Sequence, residues 1–85
     1  MRFVVRLEAS AQKALRKIPA GDVARIVTKL RSLEENPTPA GAEKLKGGSG
    51  ELRVRVGDYR IIYEVHDGIL VVVVVTIDHR CEVYR

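Results

Sequence analysis

Arginines recur at alternate positions of one short segment, and no other residues in the chain are so clearly arranged for chemistry. Residues 52–56 alternate apolar side chains with Arg53 and Arg55, a period of two that predicts a strand. Gly57-Asp58 predicts a two-residue turn, after which the alternation resumes. A turn of that length sets Arg55 opposite Arg60, so the three arginines share one face of a hairpin. A planar guanidinium binds phosphate oxygens in pairs and keeps its charge at physiological pH.

The pattern leaves two interpretations of this arginine face (Arg53, Arg55 and Arg60) open. In the first, it is a solvated outer face on which Glu51, Glu64 and other acids offset the arginines. In the second, it binds a polyanion, for which the guanidinium fork is suited. Net charge does not decide, because 15 basic and 11 acidic residues give only +4, an excess that many small domains carry for solubility.

The other reactive side chains do not form a recognisable site. Cys81 is the single cysteine, which excludes an internal disulfide and a cysteine-rich zinc site, and two histidines with one cysteine do not complete a metal site. Gly47-Gly48-Ser49-Gly50 lacks the spacing of a phosphate-binding loop and does not lead into a helix. We therefore predict neither a metal nor a cofactor, and we interpret Cys81 as a small, partly buried residue.

The first half of the chain predicts one strand and two helices. Residues 2–7 place apolar side chains on one side at period two, and the following segment has the spacing of a helix with one buried face. Ser10 is the predicted N-cap of that helix, and Pro19 ends it and suits the first turn of the next. A second apolar stripe runs from Val23 to Leu33, and the short link predicts an antiparallel helical hairpin.

The second half predicts a connection and then strands. Asn36-Pro37-Thr38-Pro39 ends the second helix, and residues 36–50 form a link rich in proline and glycine. After the arginine hairpin, Asp67-Gly68 predicts a second turn of the kind that favours positive φ. Residues 69–77 are apolar at all but one position, as in a central strand covered on both faces, and a tail of residues 78–85 follows.

These elements define one α+β domain spanning residues 1–85. The order β-α-α-β-β-β predicts a mostly antiparallel four-stranded sheet with the helical hairpin packed on one face. A chain of 85 residues allows one small core, and 46% apolar residues exclude disorder. The N-terminus has no apolar signal region, and the longest apolar run, 69–75, is too short for a membrane helix. We therefore expect a cytoplasmic protein without a membrane partner.

Four short segments, together with the opening strand, carry a resemblance that covers nearly the whole chain. They are residues 14–19 (ALRKIP), 44–47 (KLKG), 52–63 (LRVRVGDYRIIY) and 79–85 (HRCEVYR). In their order and spacing they resemble the RelE-type toxins of the RelE/ParE superfamily, the toxin halves of type II toxin–antitoxin pairs.

The resemblance implies an endoribonuclease that enters the ribosomal A site, cuts mRNA there without a metal, and so inhibits translation. The ribose 2′-oxygen attacks the adjacent phosphorus, which leaves a 2′,3′-cyclic phosphate and a 5′-hydroxyl. This reaction needs neutralisation of phosphate charge, removal of the 2′-hydroxyl proton and protonation of the leaving oxygen. The implied catalytic residues are Arg53, Arg55, Arg60, Arg80 and Tyr84, and the implied RNA- or ribosome-binding residues are Lys44, Lys46 and Arg85.

The roles implied for these residues follow from their chemistry. Arg60 and Arg80 would hold the scissile phosphate, and Tyr84 would stack on a base or exchange a proton with the 2′-hydroxyl. The best-known family pattern has lysines where this chain has Arg53 and Arg55. Arginine does not release its proton, so these two positions would bind phosphates or compensate developing charge rather than act as a base. His79 is then the candidate for proton transfer, because its ordinary pKa lies near neutrality.

The resemblance also implies a partner and leaves other functions open. The partner is a cognate RelB-like antitoxin that wraps the toxin, so the pair forms a hetero-oligomer that contacts DNA mainly through the antitoxin; ribosome and mRNA are the targets. The alternatives are a ParE-like toxin that inhibits DNA gyrase by binding, and an interaction module without catalytic activity.

Overall fold

The computed structural model describes residues 2–45 and 50–79 as one five-stranded sheet and two helices. The elements in chain order are β1 (Val4–Leu7), α1 (Ala9–Arg16), α2 (Ala20–Glu35), β2 (Glu43–Lys44), β3 (Glu51–Val56), β4 (Tyr59–His66) and β5 (Val71–His79). The strand order across the sheet is β1-β5-β4-β3-β2. The α+β class and the helix pair are confirmed, whereas the predicted count of four strands is one too few.

The strand missing from the prediction is β2, which lies inside the proline- and glycine-rich link. It contains only Glu43 and Lys44, which pair antiparallel with Arg53 and Leu52 of β3. Two exposed charged residues carry no alternation that could indicate a strand. β2 is therefore a strand because of its pairing with β3, which is a tertiary contact.

Both helices begin close to the predicted residues and bury one stripe each. α1 begins at Ala9 after the extended residue Glu8, so the prediction of Ser10 as its N-cap is wrong. The Ser10 hydroxyl instead donates to the carbonyl of Val75, because the sheet passes directly beside this turn of the helix. α2 begins at Ala20 with Pro19 as its N-cap, so the proline lies one residue before the first turn in which the sequence placed it. Neither helix among the described residues is long and apolar enough to cross a membrane.

The buried side chains of both helices pack on the same face of the sheet. The helices contribute Ala11, Ile26, Leu30 and Leu33 to this core. The strand residues that face them, called the helix-packed face below, are Leu52, Val54, Tyr59, Ile61, Tyr63, Val72, Val74 and Ile77. They alternate along each strand with the residues of the opposite face, so one layer of helices leaves the other face of the sheet uncovered by the described elements.

The strand β5 is central, as predicted, but it is not covered on both faces. It pairs in parallel with β1 and antiparallel with β4, which confirms a mostly antiparallel sheet. Val72 and Val74 are fully buried beneath the helices, whereas Val71 and Val73 point to the uncovered face and are only partly buried. Val4 of β1, the neighbour of Val71, is 57% exposed. The long apolar run therefore reflects a central position and not a second covering layer.

The ends of β5 also differ from the prediction. Residues 67–70 connect β4 to β5, so the turn is longer than Asp67-Gly68, and its positive φ of 54° falls on Leu70. The strand continues through Asp78 and His79, which were predicted to belong to the tail. A one-residue bulge lies along this strand, because Ile62 pairs with Thr76 while Tyr63 pairs with Val74. The bulge inverts the side of the sheet to which the following residues of β5 point.

Candidate nucleic-acid interface

The hairpin of β3 and β4 has the register that the sequence predicts. The two-residue turn at Gly57-Asp58 pairs Val56 with Tyr59 and sets Arg55 directly across from Arg60. Arg53 lies two residues along β3 on the same side, opposite Ile62. The arginine face is therefore on the uncovered side of the sheet, whereas the alternate residues of both strands are buried beneath the helices.

The arginines differ in how their charge is balanced. The Arg53 guanidinium lies 3.4 Å from a carboxylate oxygen of Glu43 in β2, and both side chains remain partly exposed. Within residues 2–45 and 50–79, neither Arg55 nor Arg60 forms a salt bridge or a side-chain hydrogen bond. Asp78 is the cross-strand neighbour of Arg60 on β5, yet no ion pair joins the two among the described residues.

The acids that the solvated-face interpretation relies on lie elsewhere. Glu51 and Glu64 face each other at the far end of the same hairpin, four residues along each strand from the Arg55–Arg60 pair. The Glu64 carboxylate lies 3.2 Å from Nε2 of His66 and contacts no arginine within the described part of the chain. The two acids named in that interpretation therefore do not offset Arg55 and Arg60.

His79 is on the opposite side of the sheet from the arginine face. It pairs with Tyr59, and the two rings meet edge to face with centroids 4.8 Å apart. Both rings line a cavity of about 170 Å³ beneath the end of α1, together with Ala14, Lys17, Ile18 and Ile77. The role of His79 in proton transfer stays a prediction, but its ring does not lie on the arginine face. The physical reason is the alternation of β5 after its bulge, which turns Asp78 and not His79 toward Arg60.

The two buried tyrosines of β4 act as hydrogen-bond donors. The Tyr59 hydroxyl donates to Oδ2 of Asp22 at 3.0 Å, and the Tyr63 hydroxyl donates to the carbonyl of Pro37 at 2.7 Å. Burial raises the pKa of both phenols, and the hydrogen bond to Asp22 raises the pKa of Tyr59 further. Both hydroxyls therefore stay protonated at neutral pH, and neither serves as a base.

The remaining predicted site residues fall into two groups. Lys44 is exposed in β2, opposite Leu52 and hence out of step with the arginine alternation. The predicted residues Lys46, Arg80, Tyr84 and Arg85 lie outside the described residues. Sequence reasoning missed Glu43 and Asp78, both of which adjoin arginines. Their positions next to arginines could be predicted only if β2 and the end of β5 were assigned correctly.

The arrangement can bind and stabilise anionic oxygens. Arg55 and Arg60 face each other across the strands and form no ion pair within the part of the chain that the structure describes, and Arg53, two residues away, is held by a single exposed carboxylate. Together they present planar donors to groups such as phosphates. Arginine remains protonated, so the arginine face can stabilise developing negative charge but cannot remove a proton.

Comparison with known proteins agrees with this fold. Residues 5–84 match a family model described as the ParE toxin of the type II toxin–antitoxin system, parDE. The chain therefore belongs to the RelE/ParE family of type II toxins. It is 30% identical to toxin RelG of Mycobacterium tuberculosis over 86 residues, which cover 100% of this chain and 99% of RelG.

Two solved complexes have closely similar toxin chains. The toxin–antitoxin complex RelBE2 of Mycobacterium tuberculosis superposes with a TM-score of 0.85 at 28% identity, covering 94% of this chain and 93% of the other. The archaeal RelE–RelB complex of Pyrococcus horikoshii superposes with a TM-score of 0.82 at 29% identity, covering 94% and 97%.

Proposed function

We propose that this toxin is a ribosome-dependent endoribonuclease that cuts mRNA in the A site and thereby inhibits translation. The observation that supports this most directly is the Arg55–Arg60 pair, which faces away from the helices and forms no ion pair among the described residues, although Asp78 is the strand neighbour of Arg60. Cross-strand like charges are unfavourable by a few tenths of a kcal/mol, so their retention fits a surface that binds an anion. The 30% identity to toxin RelG supports the toxin role.

The proposed reaction is transfer of the phosphoryl group to the neighbouring ribose oxygen. The 2′-oxygen forms a bond to phosphorus as it loses its proton, and the bond to the 5′-oxygen breaks as that oxygen gains one. Arg55 and Arg60 hold the non-bridging oxygens and stabilise the charge that grows on them in the transition state. Arg53 binds an adjacent phosphate, for which it must exchange its contact with Glu43.

The other residues predicted from the sequence complete the proposal. Arg80 holds the scissile phosphate together with Arg60, and Tyr84 stacks on a base or exchanges the proton of the 2′-hydroxyl. Lys44, Lys46 and Arg85 contact RNA or the ribosome. No step is assigned to His79, whose ring lies on the helix-packed face, and its part in proton transfer stays a prediction.

The test is cleavage of mRNA on programmed ribosomes with an empty A site. The wild-type protein should produce fragments with 2′,3′-cyclic phosphate and 5′-hydroxyl ends. Arg60→Ala and Arg55→Ala should each slow cleavage by about a hundredfold or more. Arg31→Ala, which removes an exposed arginine of α2, is the matched control and should leave the rate unchanged. Equal rates for all four proteins would show that the arginine face is not the site.

The proposal includes an antitoxin of the RelB type as a partner. The similar chains of Pyrococcus horikoshii and Mycobacterium tuberculosis were solved in toxin–antitoxin complexes. We propose that this chain forms a corresponding cytoplasmic hetero-oligomer whose DNA contacts come mainly from the antitoxin. Co-expression with the protein encoded beside it should give one complex by size exclusion and should relieve growth inhibition. Growth arrest that persists despite a stable complex would contradict neutralisation by that partner.

A second candidate function is inhibition of DNA gyrase by binding. It is favoured by the matching family model, whose description names the ParE toxin. A supercoiling assay with purified gyrase separates the two functions. Gyrase inhibition without mRNA cleavage would replace the ribonuclease proposal, and absence of both activities would leave an interaction module.

A further inference from the structure

The turn that connects the two strands of the arginine hairpin is covered by the second helix. Gly57 has φ of +58°, a conformation that favours glycine. A Cβ atom at this position would overlap the guanidinium of Arg25, which lies over the turn from α2. Arg25 in turn lies 3.9 Å from a carboxylate oxygen of Asp22, one helical turn earlier. The helix thus contacts the arginine hairpin at the point where its two strands reverse direction.

Asp22 connects this helix end to the strand itself. Its Oδ2 accepts the hydrogen bond from the Tyr59 hydroxyl at 3.0 Å, while Oδ1 faces Arg25. Tyr59 is the first residue of β4 and directly precedes Arg60. Its side chain is 7% exposed and packs against the ring of His79. The tyrosine is therefore fixed from two sides, by the carboxylate of α2 and by the ring on β5.

The orientation of Tyr59 determines the orientation of Arg60. Successive side chains of a strand point to opposite faces, so a tyrosine held inward turns the next residue outward. A slip of one residue would exchange the two faces and remove Arg60 from its position across from Arg55. Repulsion between these two arginines opposes their close pairing. The two-residue turn sets this register, and the contacts of Tyr59 outside the arginine face oppose the repulsion at this end of the hairpin.

We infer that Asp22 and Tyr59 are positioning residues that hold the Arg55–Arg60 pair in the geometry needed for phosphate binding. This inference rests on the proposed function and deepens it. Asp22 and Tyr59 act from the helix-packed face and touch no substrate. In their absence the strands still form, but the two guanidinium groups lose the fixed spacing with which they meet one phosphate. Misplacement of such groups by about 1 Å can reduce a rate a hundredfold.

The experiment compares two tyrosines of the same strand. Tyr59→Phe removes the hydroxyl that binds Asp22 and keeps the aromatic ring, whereas Tyr63→Phe removes the equivalent hydroxyl that binds the carbonyl of Pro37. Both variants lose one buried hydrogen bond, so both should lose stability to a similar degree. Cleavage is measured as a single-turnover rate on programmed ribosomes, well below the unfolding temperature of each variant.

We expect Tyr59→Phe to slow cleavage by about tenfold to a hundredfold without weakening ribosome binding, and Tyr63→Phe to cut at the wild-type rate. Asp22→Ala should match Tyr59→Phe. Asp22→Asn should recover most of the rate, because its amide oxygen still accepts the tyrosine hydroxyl. Equal slowing in both tyrosine variants, or in neither, would overturn the positioning role.

A second measurement keeps this inference separate from the nuclease proposal. Amide hydrogen exchange of residues 55–60, followed by NMR, should become faster in Tyr59→Phe and stay unchanged in Tyr63→Phe. If the wild-type protein cuts no mRNA, the proposed function fails, and this exchange comparison alone decides whether Asp22 and Tyr59 hold the hairpin. Unchanged exchange in Tyr59→Phe would refute the inference whatever the wild-type protein does.

Discussion

The two faces of the same hairpin satisfy their polar groups in different ways. On the helix-packed face, the hydroxyls of Tyr59 and Tyr63 each have a hydrogen-bond acceptor, and none of the described buried side-chain polar atoms lacks a partner. On the arginine face, Arg55 and Arg60 stand side by side without an ion pair among the described residues, although Asp78 lies next to Arg60 on β5. The polar groups of the helix-packed face thus have their hydrogen-bond partners within the folded chain. On the arginine face, the charges of Arg55 and Arg60 stay available to an anion outside the chain.

Side chains alternate between the two faces along each strand, and this alternation separates the residues that stabilise the fold from those proposed to bind. Residues that point inward contribute to the core, and under the proposed function their outward neighbours bind the RNA. A substitution moved by one position along β4 should therefore change its effect from one property to the other.

Reversing one charge on the arginine face should have the largest effect. Arg60→Glu places a carboxylate across from Arg55, so cleavage should fall by about a thousandfold or more because phosphate is repelled. The same change should raise stability by a few tenths of a kcal/mol, since opposite charges now pair across the strands. Cleavage rates and urea denaturation measure the two effects. Arg6→Glu, at the other end of the uncovered face, is the control, and a comparable loss there would indicate a general charge effect.

Adjacent isoleucines of β4 should differ sharply in their contribution to folding. Ile61 is fully buried on the helix-packed face, while Ile62 is only partly buried on the other. Ile61→Ala should lower the free energy of unfolding by about 2–5 kcal/mol, because it removes buried methyl groups and leaves a cavity. Ile62→Ala should cost less than about 1.5 kcal/mol. Similar losses in urea denaturation would mean that the uncovered face is packed as tightly as the other.

Alkaline pH should weaken the helix-packed face selectively. The pKa values of Tyr59 and Tyr63 are raised in the folded protein, first by burial. Their contribution to stability is therefore complete below the ordinary tyrosine pKa of about 10 and is lost as the pH rises above it. The free energy of unfolding should fall from pH 9 to pH 11, and the double variant Tyr59→Phe, Tyr63→Phe should show a shallower fall. An identical slope in wild type and variant would contradict the raised values.

The smallest effect concerns Arg53, the member of the arginine face that has an ion pair among the described residues. Glu43→Gln removes the carboxylate 3.4 Å from Arg53, so a short RNA should bind about two- to fivefold more tightly at low salt, with a steeper salt dependence. Stability should change by less than about 1 kcal/mol, as expected for an exposed ion pair. Glu35→Gln, which removes an exposed partner of Arg2, is the control. Fluorescence anisotropy across a salt series would show whether Glu43 tunes this surface.

The amino-acid sequence was sufficient where one local signal determines geometry. Gly57-Asp58 predicts a two-residue turn, and a two-residue turn allows one register, so the Arg55–Arg60 pairing follows from the order of the residues alone. The helices were equally accessible, because their apolar stripes repeat over several turns. In these segments each local preference agrees with the tertiary arrangement.

Prediction was insufficient where tertiary contacts decide. Five consecutive valines, residues 71–75, carry no alternation, so nothing in them reveals which side chains face the helices or where the bulge lies. Val73 and His79 lie an even number of positions apart, so a regular strand would place both side chains on one side. They point to opposite sides because of that bulge. The placement of His79 therefore could not be derived from its neighbours in sequence. β2 was inaccessible for a similar reason, because only its pairing with β3 makes it a strand.

The parallel pairing of the first and last strands has a consequence for the order in which the protein is made. β1 has only β5 as a strand partner among the described elements, and Val4 pairs with Val71, a separation of 67 residues. During synthesis, β1 therefore cannot pair with a described strand until β5 has been translated. Contacts of such long range also form slowly, because the chain must close a large loop first. The inner strand β5 is thus the last described one to be synthesised, and the described sheet can close only after it has been translated.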